Sequence, residues 1–514
     1  MATDHVLAID LGTGGPKAAL VSLDGDITAH EFEPTELLLS PGGGAEQDPA
    51  AWWTAITTAV TRLLARGLTD IDDIKAVSVT AQWSGTVAVD ADGQPLMNAI
   101  IWMDSRGAAA IGDIVGGPVN VMGYDPRKLR TWIQRTGGIP SHSGKDSVAH
   151  IAWLRAERPE IYAAADRFLE PGDYLNLRLT GKAVSSYDSI VAHWLTDNRD
   201  IRNIRYDPTL VAYAGIDPAK LPPLVPSATV IGEITAAIAA EWGLAEGTKV
   251  VTATGDVHSA VVGSGALGDF EGHIYIGTSS WLSCHVPWKR TDLLNNQAAL
   301  PSAIPGRYFL ANEHETAGAC LLHLRDKLRL GADFDELNAT AAEAPAGSHK
   351  LIYLPWLNGE RTPVDDHTIR GGWSNLSLSH DKADLVRSVF EGVAYNSRWL
   401  LEVVEKFIKQ EMPALNFIGG GALSDLWCQI HADVLDRTIR RVADPQHAGA
   451  RGAAYVASLA LGRSTPEELS RRVKIEREFT PNPANRAIYA ELYGEFKKLY
   501  KATKPIHARL NAQH

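Results

Sequence analysis

Cysteine is scarce: Cys284, Cys320 and Cys428 are the only three in 514 residues, and no two stand at CxxC spacing. An odd, dispersed set excludes a disulfide framework and a thiolate metal knot, and reads as packed thiols in a reducing compartment, so a cytoplasmic location is expected. Positive charge is also in deficit. At a formal net charge of -12 the chain offers no broad basic surface for nucleic acid or anionic lipid, and an anionic ligand needs a local site. Long apolar runs are missing as well, and the N-terminus passes into Val6-Leu7-Ala8-Ile9 without a basic segment or cleavage site. Neither a membrane span nor export is expected. What remains is an ordinary globular composition, in a chain longer than one hydrophobic core usually serves. That length predicts two large domains with a cleft between them.

The first hundred residues read as strands and turns: Val6 to Asp10, a glycine-rich turn through Gly12 and Gly15, Lys17 to Leu23, and a hairpin turn at Asp24-Gly25. A helix is expected from Pro49, with Asp48 as cap and an apolar stripe of Trp52, Ile56, Val60 and Leu63. Further strands are read at Ala76 to Thr80, Thr86 to Asp90 and Leu96 to Trp102. The pattern begins again near Val250. A strand from Val250 to Thr254 ends in Gly255-Asp256, a small-residue segment follows, and a strand from His273 to Ile276 opens into Gly277-Thr278-Ser279-Ser280. Each half sets a strand before a Gly/Thr/Ser turn, which predicts two related α/β domains, 1–260 and 261–514, joined by a short hinge. The end of the chain, from Tyr489 to Tyr500, has apolar residues at spacings of three and four and reads as a packed helix.

Three glycine-rich turns are candidates for phosphate contact. In Asp10-Leu11-Gly12-Thr13-Gly14-Gly15-Pro16-Lys17, glycines let backbone N–H groups approach oxygens, Thr13 adds a hydroxyl, and Asp10 is placed to orient a water on a metal ion. Neither GxxxxGK[ST] nor GxGxxG spacing is present, and read alone the turn is equally a plain hairpin. Gly277-Thr278-Ser279-Ser280 is rich in donors and free of bulk. Gly419-Gly420-Gly421-Ala422, between the apolar strand Leu415 to Ile418 and a helix near Ser424-Asp425, costs chain entropy without adding packing. It is read either as a close approach to a flat base or phosphate, or as a sharp strand-to-helix turn.

Together with Thr254-Gly255-Asp256, these turns resemble the FGGY carbohydrate kinases of the actin-like ATPase superfamily. The resemblance covers nearly the whole chain. Asp10 to Lys17 matches a D-x-G-T-x-x-x-K turn, and Gly85 to Arg106 is similar to a substrate hairpin ending in W-x-D-x-R. Gly172 to Lys182, the GERTP loop within Asn358 to Asp365, the second signature over Gly372 to Glu391, and the Ala/Gly-rich stretch Ala448 to Ala454 follow in order.

The resemblance implies two ribonuclease-H-like domains around a central cleft that binds MgATP. It implies ATP-dependent phosphorylation of a hydroxyl on a small sugar or polyol, a xylulose-like ketose or a related polyol, and homodimers as in other members. Asp256 is then the general base, since a carboxylate within reach of an alcohol takes its proton as the bond to phosphorus forms. Asp10 is the Mg²⁺ ligand. Gly12, Thr13, Gly277, Thr278 and Ser279 contact phosphates, and Gly420, Gly421 and Ser424 line the base and ribose. Gln82, Trp83, Ser84, Asp104, Arg106 and Asp256 face the sugar. The chain departs from the pattern around that sugar. Gln82-Trp83-Ser84-Gly85 stands where xylulose kinases of the family show Gln-Met-His-Gly, Val257 follows the base in place of Asn or Gln, and His150 replaces a lysine ahead of Trp153. These changes imply a narrower or less polar pocket, with Trp83 and Trp102 either stacked on the sugar or packed in the core. They also leave open a degenerate ATP-binding switch or sensor without kinase activity.

Overall fold

The computed structural model describes residues 4–512 except Met122. Strand His5–Gly12 is apolar at Val6, Leu7, Ala8, Ile9 and Leu11, all at most 1% exposed, so it is covered on both faces and sits centrally in its sheet. It pairs antiparallel with Gly15–Ser22, Asp10 opposite Lys17, and parallel with Ile74–Ala81, Asp10 beside Thr80. The full sheet has seven strands, running from Val230–Glu233 through Lys249–Val251, Ile74–Ala81, His5–Gly12 and Gly15–Ser22 to Ile27–Phe32, with Thr254–Gly255 added beside Ile74–Ala81. Helix Pro49–Leu64 covers one face, started by Asp48, whose carboxylate accepts from the Ala50 N–H at 2.8 Å.

The second sheet repeats this plan. Strand Gly272–Ile276 pairs antiparallel with Ser280–Val286 and parallel with Ala414–Ile418, which pairs parallel with Thr438–Val442, and Ile475–Phe479 closes the edge antiparallel. Three strands beyond Ser280–Val286 bring the sheet to eight. Hairpin, parallel neighbours and antiparallel edge occur in the same order in both sheets. This is the twice-repeated ribonuclease-H-like architecture, and it puts the Gly12–Gly15 turn and the Gly277–Ser279 turn at equivalent strand ends. Helices Lys382–Ile408 and Arg486–Leu510 bury Val389, Phe390, Val393, Tyr489, Leu492 and Phe496 in the second core, as the spacing near the C-terminus predicts.

Two local readings change. The strand expected from Leu96 to Trp102 is only Ala99–Ile100, and the one expected from Val250 to Thr254 is broken, because it switches partner register along Ile74–Ala81. The small-residue segment after it is helix Asp256–Gly263. That helix crosses helix Ala448–Ala460 backbone to backbone: a Cβ on Gly452 would lie 1.8 Å from the Ser259 carbonyl oxygen, and one on Gly263 1.8 Å from that of Ala448. Ala450, Ala453, Ala454, Val456 and Ala457 of the later helix then join Val6, Ala8, Ala19, Val21 and Ala76 of the first sheet in one buried cluster. A segment from the far end of the chain thereby completes the core of the first sheet. All three cysteines are buried, as packed thiols. Among the described residues no helix is long and apolar enough to cross a membrane.

Candidate active site

The first turn is held by a rack of side chains. Trp52 Nε1 donates to Gln47 Oε1 at 3.2 Å, as does Gln82 Nε2 at 2.7 Å, while Gln47 Nε2 donates to the Thr13 carbonyl at 2.9 Å. Thr13 Oγ1 accepts from Trp102 Nε1 at 2.9 Å and donates to Gln82 Oε1 at 3.4 Å. Gln82 and Trp102 thus fix the threonine hydroxyl rather than standing apart from the glycine-rich turn. Gly15 is obligatory here: its φ is +136°, and a Cβ would strike the Glu33 carbonyl oxygen at 2.0 Å.

Asp10 emerges from the first strand with Lys17 Nζ 3.9 Å from Oδ2. Burial raises its pKa, and Lys17 opposes the shift only in part. Asp256 occupies the first turn of its helix, one residue past the Gly255 cap, and its Oδ1 accepts from the Val257 N–H at 2.8 Å. It therefore does not span the turn as a capping side chain. Burial first, and the Asp10 carboxylate second, push the Asp256 carboxyl up to about 7. Gly449 of the small-residue helix closes on Asp10 from the other side, where a Cβ would be 3.1 Å from Oδ2.

In the second half, the carbonyls of Gly277 and Thr278 accept from Gly318 and Ala317, both at 2.9 Å. The turn is thereby braced from behind while the Thr278 side chain is exposed. Gly419 has φ +88°, and a Cβ there would meet the Ile276 carbonyl oxygen at 2.4 Å. Gly421 presses on Ile276 likewise, whereas a Cβ on Gly420 would meet nothing within 4 Å. Gly420 is the glycine with free space above it. Ser424 caps helix Asp425–Leu435 by accepting from the Trp427 N–H at 3.0 Å, and its hydroxyl donates to Asn338 Oδ1.

The remaining residues expected to face the sugar are heavily engaged within the chain. Asp104, 1% exposed, accepts from the N–H groups of Ala45 and Arg106 at 2.9 Å each and from the Arg106 guanidinium. Arg106 also reaches Glu46 at 2.6 Å and lies 4.0 Å over the Trp153 ring. This pair locks the hairpin to strand Gly44–Gln47. His150, in the lysine position, is wholly buried between Thr86 Oγ1 and the Asp104 carbonyl, and burial draws its pKa down to about 4. Ser84, at φ +65°, donates to the Lys145 carbonyl at 3.0 Å. Trp83 donates to the Ser189 carbonyl at 3.1 Å and meets the His258 ring edge-on, centroids 4.8 Å apart, with Phe309 on the far side of His258. Val257 packs into the same apolar group beside Val191, Val261 and Leu300. Trp83 and Val257 therefore act together: they form one aromatic and aliphatic wedge next to Asp256, and Val257 takes the place of a polar side chain.

Three residues in this region carry no signal in the sequence. Gly449 is one glycine in an Ala/Gly-rich helix. Tyr275 alternates in an apolar strand, yet stacks on Trp281 at 3.8 Å and 8°, and burial with the charges of Asp256, Asp10 and Glu313 pushes its hydroxyl up to about 12. Glu313 lies close enough to raise both Asp256 and Tyr275, and pairs with Arg361 of the GERTP loop at 2.5 Å. Glu360 of that loop is fully buried, accepting from the Glu315 and Arg361 N–H groups and from Asn396.

Comparison with known proteins bears on the family and the fold. Residues 5–263 match the model for the N-terminal domain of the FGGY family of carbohydrate kinases, and residues 272–461 the model for its C-terminal domain. The xylulose kinase of Staphylococcus epidermidis is 30% identical, the alignment covering 99% of each chain. Among solved structures, the xylulose kinase of Rhodospirillum rubrum is 26% identical with a TM-score of 0.83, over 98% of this chain and 99% of that one. The ligand-bound xylulose kinase of Lactobacillus acidophilus, 23% identical, shares the fold with a TM-score of 0.86 over 99% and 100% of the two chains. With both family domains matched in order and the fold shared end to end, the chain belongs to the FGGY family of carbohydrate kinases, which use ATP to phosphorylate a sugar hydroxyl.

Proposed function

We propose that this kinase acts on a small ketose of the xylulose kind or a related polyol, with Asp256 as the general base. The observation that carries the assignment is the placement of the Asp256 carboxyl in the first turn of its helix, accepting from the Val257 N–H at 2.8 Å, with burial and the Asp10 charge raising its pKa to about 7. The acceptor hydroxyl gives its proton to Asp256 as its oxygen bonds to the γ-phosphorus, and the bridging P–O bond breaks to release ADP. The turns at Gly12-Thr13 and Gly277-Thr278-Ser279 hold the phosphates by backbone and hydroxyl donors. The open space over Gly420, beside Gly421, takes the base and ribose, with Ser424 acting from behind by fixing the helix that follows.

Asp10 fits a Mg²⁺ ligand because its buried charge is balanced only by a lysine 3.9 Å away. Among the described residues no cluster of three or more His, Cys, Asp or Glu side chains forms a metal cage, and a cation held by one carboxylate and the nucleotide phosphates requires none. When bound, the ion would neutralise charge on the transferring phosphoryl group. The relatives named xylulose kinase support the ketose, and the Trp83, His258 and Val257 wedge supports a smaller or less hydroxylated acceptor than xylulose. A nonenzymatic switch is disfavoured, because full-length relatives are kinases. An ADP-release screen over pentuloses, hexuloses, tetritols and glycerol tests the reading: at least one acceptor should stimulate turnover, and Asp256→Asn should lower kcat by about 10²–10⁴-fold. ATP binding without stimulation by any acceptor, or an unchanged rate in the variant, would refute it.

A further inference from the structure

A cavity of about 750 Å³ opens at the seam between the two halves and shares no residue with the catalytic cleft. The first half contributes the end of helix Pro126–Arg135 and the loop carrying Arg199, Asp200 and Arg202, and the second half contributes Trp288, Lys289 and Arg290. Four cationic side chains line it against one carboxylate, Asp200. In a chain with a net charge of -12, such a concentration is self-repelling unless something offsets it.

Internal partners offset only part of it. The Arg199 fork is satisfied by Asp197, at 2.8 and 2.7 Å. Lys289 Nζ donates to the carbonyls of Ile133 at 2.7 Å and Gln134 at 3.0 Å, which orient it without neutralising it. Burial pulls its pKa down to about 8, against the opposing attraction of Asp197. Arg290 lies over the Trp288 ring at 4.5 Å, so its planar group is held in place. Neither Arg202 nor Arg290 forms an ion pair among the described residues. The walls are also fixed relative to each other: Thr291 Oγ1 donates to the Gly137 carbonyl, and Tyr308 OH to that of Asn198 at 2.7 Å.

We propose that this seam cavity binds a small phosphate ester through Arg202, Lys289 and Arg290, separately from the ATP and sugar sites. Two guanidinium groups and an ammonium suit a phosphate dianion by geometry and charge, and the volume suits a molecule of metabolite size. Cations from both halves line the cavity, so a single anion there bridges the two halves.

Titration calorimetry of the full chain, with ADP saturating the nucleotide site, tests this using inorganic pyrophosphate as probe. One equivalent should bind to the wild type. Arg202→Glu with Arg290→Glu should weaken binding by about 30-fold or more while ADP affinity stays within about twofold, since each lost charged contact is typically worth about a factor of ten. Arg202→Gln, a change at an exposed side chain, should alone cost about tenfold, so the idea remains testable if the double variant folds poorly. No binding by the wild type up to about 10 mM, which corresponds to negligible affinity, overturns the proposal, and so does equal binding by Arg202→Gln.

Discussion

Asp256 shares its surroundings with Asp10 and Glu313, and each adds negative charge beside a carboxyl that burial already disfavours as an ion. The consequence for activity has a definite sign. A base must be unprotonated to accept the hydroxyl proton, and a pKa near 7 leaves it largely protonated at pH 6. The profile of kcat/KM against pH should therefore rise through a single ionisation close to pH 7 and level off above it. An ordinary carboxyl would instead have finished titrating by about pH 5. Initial rates measured from pH 5 to 9 with the best acceptor distinguish the two, and a plateau already reached by pH 5 would exclude Asp256 as a base in this environment. His258 adds no competing limb: it is buried between Trp83 and Phe309, with its pKa drawn down to about 4.

Among the elements, the crossing of helices Asp256–Gly263 and Ala448–Ala460 is the tightest contact at the site. Ser259 Oγ donates to the Gly449 carbonyl at 2.7 Å, Ser78 Oγ to that of Ala453 at 2.7 Å, and Gly452 lies against the Ser259 carbonyl. Gly452→Val sets a branched side chain against backbone that has no rotamer to yield, so the helices must part. We expect a loss of more than about 3 kcal/mol in urea unfolding, and activity should fall even where the variant folds, because Asp256 starts one helix and Gly449 of the other leaves no room for a side chain beside Asp10. A midpoint shift within experimental error would show that the crossing is looser than its geometry indicates. What the sequence revealed follows from the same chemistry. The turns at Gly12–Gly15 and Gly419–Gly421 were legible because consecutive glycines are costly unless a close approach needs them, and the one at Gly277–Ser279 because small donor residues follow an apolar strand. The long amphipathic helix at the C-terminus was legible by period. The crossing was not, since alanines and glycines produce almost no periodic contrast and their partner lies nearly two hundred residues away. Indole N–H groups were equally silent: with fourteen tryptophans in the chain, nothing local shows that Trp102 serves Thr13 and Trp83 serves the wedge beside Val257.

Over the whole molecule, the repeated sheet plan suggests two units that stand alone, whereas the packing argues otherwise. Residues up to about 260 contain every strand of the first sheet, but the face formed by Val6, Ala8, Ala19, Val21 and Ala76 is covered by Ala450, Ala453, Ala454, Val456 and Ala457. Arg451 reinforces the cover from within the same helix, donating to the carbonyl of Gly25 at 3.0 Å and to that of Gly263 at 3.3 Å. Without that helix the first sheet presents an apolar face to water, and exposed patches of that kind drive association rather than stable folding. A fragment of residues 1–260 should therefore aggregate or bind a hydrophobic dye, and adding residues 445–465 as a peptide should suppress the dye signal. The intact chain should unfold in calorimetry as one transition, because melting either half uncovers the other. A monomeric 1–260 fragment with its own cooperative melt would show instead that the helix docks on a finished domain, and that the cleft is bounded by two independent bodies.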